Sequence, residues 1–234
     1  MRIAAPEILL NCAEADIYNR LLVLDNKHIL ELGCGTAQKT RDIANSGFNR
    51  RITALEVDEV AHRNNLQTPD LPNVEFVLAG AQDIPLGDGS VDIVLMFKSL
   101  HHVPVASMAD ALSEIWRVLK PGGFAYISEP VYAGDFNRIL SLFNDEKDVR
   151  EAAFNAIQKA VDEGLFRLVE EIFFNTPRRF KDYAEFENTV INASHSNYRL
   201  DSALHARVRQ AFGKHLGEQG AQFLTPTRVD LLQR

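Results

Sequence analysis

The chain has 234 residues, 46% of them hydrophobic, with 25 Lys and Arg against 32 Asp and Glu, for a net charge of -7. That length and apolar content suit one sizeable domain with its own core, and the acidic balance disfavours nucleic acid or an anionic lipid surface as partner. Two cysteines, Cys12 and Cys34, exclude a disulfide framework and a cysteine metal cluster.

The N-terminus, MRIAAPEILLNCAEAD, is broken by Pro6 and Glu7 before it reaches signal-peptide length. Nothing later approaches the roughly 20 apolar residues of a membrane span, so a cytoplasmic protein without a span is expected. Residues 1–26 read as a helical leading segment.

From 27 to 130 short β-rich runs alternate with helical or polar stretches. The runs are KHILELG (27–33), RITALEV (51–57), VEFVLAG (74–80), VDIVLMF (91–97) and GFAYISE (123–129). Alternation of this kind predicts a parallel sheet covered by helices. The stretch TAQKTRDIANSG reads as a helix stopping at Gly47, with that glycine in a left-handed C-terminal cap. In VASMADALSEIWRVLKPGG, Ala109, Leu112, Ile115, Trp116 and Leu119 recur at helical spacing until Pro121 and two glycines end the run.

Beyond Tyr132 the texture changes. Segments 136–165 and 179–216 read as helical, with a strand EEIFFNT (170–176) between them and a terminal strand within FLTPTRVDLL (223–232). No linker sets them apart, so residues 131–220 are expected to form a helical cap with one strand, and 221–234 to return to the sheet. The run Pro177-Arg178-Arg179-Phe180-Lys181 suggests a phosphate patch, but Asp182, Glu185 and Glu187 follow at once and favour a solvated amphipathic helix. Phe136, Phe143, Phe154, Phe166, Phe173, Phe174 and Phe186 read as core.

The chemistry gathers around ILELGCGTAQ (29–38). A loop leaving a parallel strand for a helix offers free N–H groups, and Gly33 and Gly35 let a ligand approach them. The third glycine of a dinucleotide fingerprint is replaced by Gln38, which weakens a nicotinamide oxidoreductase reading without removing it. Glu31 could orient the loop amides or meet a cationic group. Glu56 falls where an acid binding a ribose diol is expected, with Asp58 as its rival. A nucleoside carrying positive charge fits this set.

ELGCGTA, ALEVDE, AGAQDIPLGDGSVDIVLMFKSLHHV and EIWRVLKPGGFAYISEP, in that order, resemble the class I S-adenosylmethionine-dependent methyltransferases, in particular the small-molecule type with an RVLKPGG turn. The resemblance covers residues 27–130 and implies a doubly wound, mostly parallel α/β sheet of seven strands with a Rossmann-like fold. It further implies that the backbone at Gly33, Cys34 and Gly35 lies under the methionine part of S-adenosyl-L-methionine. Glu56 would hold the ribose, and Ala81 and Gln82 would meet the adenine edge, where Gly80 replaces a frequent family acid. Glu31, Val57 and Phe97 complete the implied cofactor set. Ala37 stands where the family often has glycine.

Methyl transfer from a sulfonium is an in-line displacement with a neutral leaving group, so alignment is the main requirement and no metal is expected. A hydroxyl or amine acceptor would gain from a base, and His101 and His102, after the fourth strand, are the candidates; each could instead pack or cap. Lys98 could meet an anionic substrate or be a solvated loop lysine. RVLKPGG reads as purely structural. The expected partner is a small organic acceptor. A catalytically silent cofactor-binding subunit remains the alternative from another class.

Overall fold

A computed structural model describes residues 1–67, 71–192 and 198–234. In chain order it forms α1 (Glu14–Leu21), β1 (His28–Leu32), α2 (Gln38–Asn45), β2 (Arg51–Glu56), α3 (Glu59–Leu66), β3 (Val74–Leu78) and β4 (Val91–Phe97). Then follow α4 (Met108–Val118), β5 (Leu119–Pro130), α5 (Gly134–Leu140), α6 (Lys147–Asp162), β6 (Arg167–Phe180) and α7 (Tyr183–Phe186). The chain closes with α8 (Ser202–Gly213), β7 (Leu216–Gly217) and β8 (Gly220–Gln233).

The sheet runs β3-β2-β1-β4-β5-β8-β6. The pairs from β3 to β5 are parallel, and β8 is antiparallel to both β5 and β6. Seven strands follow this path, as the resemblance implied, and the two-residue β7 beside β8 makes an eighth. The strand order reverses between β1 and β4, which opens a crevice at the carboxyl ends of those strands.

The apolar runs explain the layering. In β4 every residue but Asp92 is buried, as expected for a strand covered on both faces. Successive side chains alternate between the faces. Leu30, Leu32, Val94, Met96 and Ile127 join Ile115 of α4 and Ile157 of α6 on one side. Ile29, Leu95 and Tyr126 join Ile17 and Tyr18 of α1 and Ile43 of α2 on the other.

Several expectations are corrected. Helix α2 ends at Asn45, and Gly47 is not among the residues of positive φ, so it makes no left-handed cap. The reason for glycine there is space: a Cβ at Gly47 would stand 2.2 Å from both the Arg50 guanidinium and Asp25 Oδ1. Those groups form a close ion pair, 2.7 Å from Nε to Oδ1. Helix α4 stops at Val118, before Pro121, because the residue ahead of a proline is pushed to extended backbone, and β5 already begins at Leu119.

The larger correction concerns the second half. The predicted strand 170–176 grows to the fourteen residues of β6 and takes in Pro177–Phe180, expected to be helical. Its long antiparallel pairing with β8, from Arg167↔Gln233 to Phe180↔Ala221, overrides the local charge pattern. Arg178 stacks over Phe136 of α5 and Arg179 donates to Gln219 O just before β8, so both arginines are engaged within the fold. The predicted helix 136–165 divides into α5 and α6. Of the predicted helix 179–216, residues 193–197 lie outside the described residues, and α7, a π turn at Glu187–Ile191 and α8 occupy much of the rest.

The cap builds on the far ends of β6 and β8. Phe136, Phe180, Phe186, Phe212 and Phe223 form a buried cluster of their own. These phenylalanines pack on one another, with Phe180 and Phe186 in edge contact at 5.4 Å. Across the sheet the leading segment lies along β6, where Asn175 N donates to Leu10 O and Cys12 N to Asn175 O.

One charged pair sits inside this architecture. On β8, Arg228 Nε and Asp230 Oδ2 are 2.8 Å apart, with side-chain exposures of 4% and 0%, and Arg228 also lies over the Phe154 ring of α6. Burial pushes the Asp230 carboxyl up to about 6 despite the arginine. Arg228→Ala would strand this acid, and urea denaturation is expected to show a loss of about 3–5 kcal/mol. The double variant Arg228→Met, Asp230→Leu should recover most of that loss.

Candidate functional site

The β1–α2 turn is built from unusual backbone. Gly33, Gly35 and Ala37 have φ of 72°, 56° for the alanine, and 54° for Gly35. Ala37 accepts a conformation that glycine adopts more easily, which is the physical content of the glycine frequently found there in the resembling family. At Gly33 a Cβ would also come within 2.7 Å of Ser99 Cβ, because the β4 loop crosses close by and Ser99 Oγ donates to Leu32 O. At Gly35 a Cβ would meet nothing, so the need there is conformational alone.

The turn is fastened to β2. Gly33 N and Cys34 N donate to Leu55 O, and Gly35 N donates to Glu56 Oε2 at 2.6 Å. The other Glu56 oxygen accepts from Val57 N and Asp58 N, both at 2.9 Å. Asp58 is used differently: its carboxylate caps α3 by accepting from Val60 N and Ala61 N. Of the two rival acids, Glu56 faces the glycine turn and Asp58 serves a helix.

A cleft of about 270 Å³ opens beside Gly35 and Glu56, lined also by Thr36, Arg41, Asp58 and Asn65. Asn65, buried on α3, donates to Gly35 O at 2.8 Å and so holds the turn from behind. The sequence carries no local signal for this, since the residue lies thirty positions away and meets the turn only when β2 and α3 pack. Cys34 is buried, and its thiol is pushed far up by burial and by Glu31 and Glu56, so it is inert.

Glu31 is 2% exposed and accepts from Thr40 Oγ1 at 2.7 Å. Burial pushes its carboxyl up to about 7, against the pull of Thr40 and Lys39. Next to it stands a group the sequence reading missed. Glu14 of α1, 4% exposed, receives Lys39 Nζ and Lys98 Nζ on one oxygen, each at 2.9 Å. Burial raises the Glu14 carboxyl, but the two ammonium groups outweigh it and its pKa lies below the usual carboxylate value. Its other oxygen has no hydrogen-bond partner. Lys98, at φ 56°, is thus tied to a buried acid rather than solvated.

Phe97 packs between Tyr18 and Tyr126, with Lys39 Nζ 4.7 Å above its ring. Ala81 is buried after β3, while Gln82 is exposed and folds its amide over Gly80, where a Cβ would come within 2.5 Å of it. Val57 is 66% exposed beside Glu56. The RVLKPGG motif has a definite structural task. Arg117 donates to Ile84 O and Leu86 O, and Glu114 accepts from Ile84 N, which anchors the loop following Gln82.

The two histidines are not equivalent. They share a 3-10 turn at Leu100–His102, where His101 is buried and His102 exposed. His101 Nδ1 lies 2.5 Å from Glu129 Oε2 at the end of β5, and its Nε2 lies 3.8 Å from Glu146 Oε2 ahead of α6. Both nitrogens of His101 therefore face carboxylates.

The donor set fits a cationic nucleoside. Two buried acids flank a turn whose backbone glycine keeps open, on the switch point of a doubly wound sheet. No helix among the described residues is long and apolar enough to cross a membrane.

Comparison with known proteins agrees. Residues 30–127 match the family model described as a methyltransferase domain. The O-methyltransferase cnsE of Penicillium expansum is 32% identical over 116 residues, which is 48% of this chain and 41% of that protein. The chain spans under half the length of the curated relatives it matches here. Among solved structures, a SAM-dependent methyltransferase of Methanosarcina mazei aligns over 96% of this chain and 99% of its own, with TM-score 0.58 and 16% identity. The [4+2]-cyclase SpnF aligns over 94% of this chain and 78% of its own, with TM-score 0.59 and 18% identity. The fold is the Rossmann-like methyltransferase fold. Residues 30–127 thus resemble a methyltransferase domain, on a fold shared with S-adenosylmethionine-dependent methyltransferases.

The Glu31 shift has a measurable sign. The folded protein holds this proton where the unfolded chain, near 4.5, has released it. Its contribution to stability is thus complete below 4.5 and is lost as pH rises through about 7. Denaturant titrations should show Glu31→Gln gaining on the wild type across that window. An ionised Glu31 favours a cation beside it, so a cationic ligand placed there should bind more tightly as pH rises through about 7, with no such gain from this residue in Glu31→Gln.

Proposed function

We propose that the protein transfers a methyl group from S-adenosyl-L-methionine to a small organic acceptor by in-line displacement. The observation that carries this is the glycine turn between Glu31 and Glu56 at the switch point, with both carboxylates buried. Methyltransferase relatives and neighbours of the same fold support it.

The cofactor would supply an electrophilic methyl group on a neutral leaving sulfur. The chain's own part is to bind and to aim. Backbone at Gly33, Cys34 and Gly35 receives the methionine portion. Glu56 exchanges its bond from Gly35 N for the ribose hydroxyls. The exposed apolar face of Val57 and the Ala81–Gln82 backbone border the adenine, held in place through Arg117. Glu31 meets the ammonium, and Phe97 closes the floor beside it. Holding nucleophile and methyl carbon in line is worth roughly 7–11 kcal/mol, which accounts for a site without a catalytic triad.

A base is an aid rather than a necessity, typically worth roughly 100- to 10,000-fold for a hydroxyl or amine. Of the two histidines the exposed His102 is the better placed to take a proton, since His101 faces carboxylates through both nitrogens. The cap phenylalanines form a core of their own, so acceptor selectivity falls to the β4 and β5 loops and to α1.

The test is product formation: pure protein, labelled S-adenosylmethionine, and a panel of phenols, amines, carboxylates and thiols, scored by release of S-adenosylhomocysteine. Turnover with at least one class is expected. Tight cofactor binding with no turnover across the panel would favour a silent cofactor-binding subunit, and tight nicotinamide binding without S-adenosylmethionine binding would reverse the assignment. In calorimetry Glu56→Ala should weaken cofactor binding by roughly 1–3 kcal/mol. Gly33→Val, which adds side-chain volume where Ser99 already limits space, should abolish it.

A further inference from the structure

After β4 the turn Leu100–His102 places two histidine rings with centroids 4.1 Å apart. One ligand atom each from His101, His102 and Glu146 lie within 4.8 Å of one another. Three donors from the β4 loop and the cap are therefore close neighbours.

The orientation of His101 is fixed from behind. Its Nδ1 is 2.5 Å from one Glu129 oxygen, and the other Glu129 oxygen accepts from Leu100 N at 3.0 Å. Glu129 is 2% exposed, so this arrangement is sealed from water. A carboxylate bonded to Nδ1 fixes the ring, as the outer carboxylate behind a metal-bound imidazole does, and directs Nε2 toward the cap. Nε2 lies 3.8 Å from Glu146 Oε2, too far for a hydrogen bond. A separation of 3.8 Å suits two ligands sharing one ion at about 2.0–2.2 Å each.

We propose that His101 Nε2, His102 and Glu146 bind one divalent transition-metal ion, with Glu129 as the outer carboxylate that sets the His101 tautomer. Glu146 is itself oriented, as ligating carboxylates are: Oε2 accepts from Arg150 at 2.6 Å and Oε1 from Asn144 at 2.8 Å, so a metal would share Oε2 with the guanidinium. Two carboxylates, Glu129 and Glu146, outweigh the single guanidinium of Arg150, so an incoming cation is electrostatically favoured. Two imidazoles and one carboxylate select zinc-like ions over magnesium or calcium and leave a fourth position open. This would run against the expectation, drawn from the displacement chemistry, that the site works without metal. The role of that open position rests on the function proposed above: it would receive an oxygen of the acceptor, and His102, as a ligand, would then not serve as the base.

The test needs neither cofactor nor acceptor. Full-length, untagged protein is stripped with a chelator, then titrated with zinc by calorimetry and with cobalt by visible absorption. One equivalent of each is expected, with the visible bands of a four-coordinate cobalt site. His102→Ala and Glu146→Gln, both outside the core, should each weaken zinc binding about tenfold or more while thermal unfolding shows the fold intact. Glu129→Gln, which changes no ligand, should weaken it by about 10–100-fold. Absence of saturable one-to-one binding, or affinity unchanged in both His102→Ala and Glu146→Gln, would overturn the site. In that case the cluster is a structural tie between the β4 loop and the cap, and the proposed methyl transfer stands untouched.

Discussion

The arrangement depends first on the bond from Gly35 N to the Glu56 carboxylate. It joins the end of β2 to the turn that leaves β1, and the same carboxylate gathers Val57 N and Asp58 N. Three amides that would otherwise point bare into a crevice are satisfied by one acid. Because hydrogen bonds from amides to a carboxylate are stronger than neutral ones, this clamp sets the turn's shape. A carboxylate has about four acceptor positions, so these three amides do not exhaust it.

Around this clamp the buried charges are arranged in layers. Glu31 sits behind the turn with Thr40, and Glu14 comes over from α1 to hold Lys39 and Lys98. The lysines compensate Glu14 well and Glu31 only weakly, which is why one carboxyl lies below its ordinary range and the other well above. An under-compensated acid beside an anionic neighbour is a poor place for pyrophosphate and a good one for a cationic ligand. On the opposite side of β4, Glu129, His101, Glu146 and Arg150 tie the loop to β5 and the cap, so the two histidines of one short turn stand in different surroundings.

The second half of the chain supplies reach. By extending β6 and β8 past the sheet, the fold carries a phenylalanine cluster beyond the sheet's edge and ties the leading segment back along β6 through Asn175. The glycine turn stays with the parallel strands, whose order is common to many chemistries. A cyclase and a methyltransferase of similar fold make that point, and the difference between such proteins must lie in the loops and the cap.

The sequence by itself determined the parallel core. The runs at 28–32, 51–56 and 91–97 are buried on both faces or nearly so, the edge run 74–78 is partly exposed, and short apolar runs bounded by polar stretches mark such strands; Gly33, Gly35 and Glu56 stand out because backbone freedom and a strand-end acid are local properties. What lay beyond it was decided by partners distant in the chain. Pro177–Phe180 became strand because β8 lies alongside, and Gly47 is glycine because Arg50 and Asp25 need its space. Lys98 gained a buried acid from α1, Asn65 reached the turn from α3, and His101 was set between Glu129 and Glu146. Each of these depends on which surfaces meet when strands and helices pack, and no spacing within a single segment encodes that.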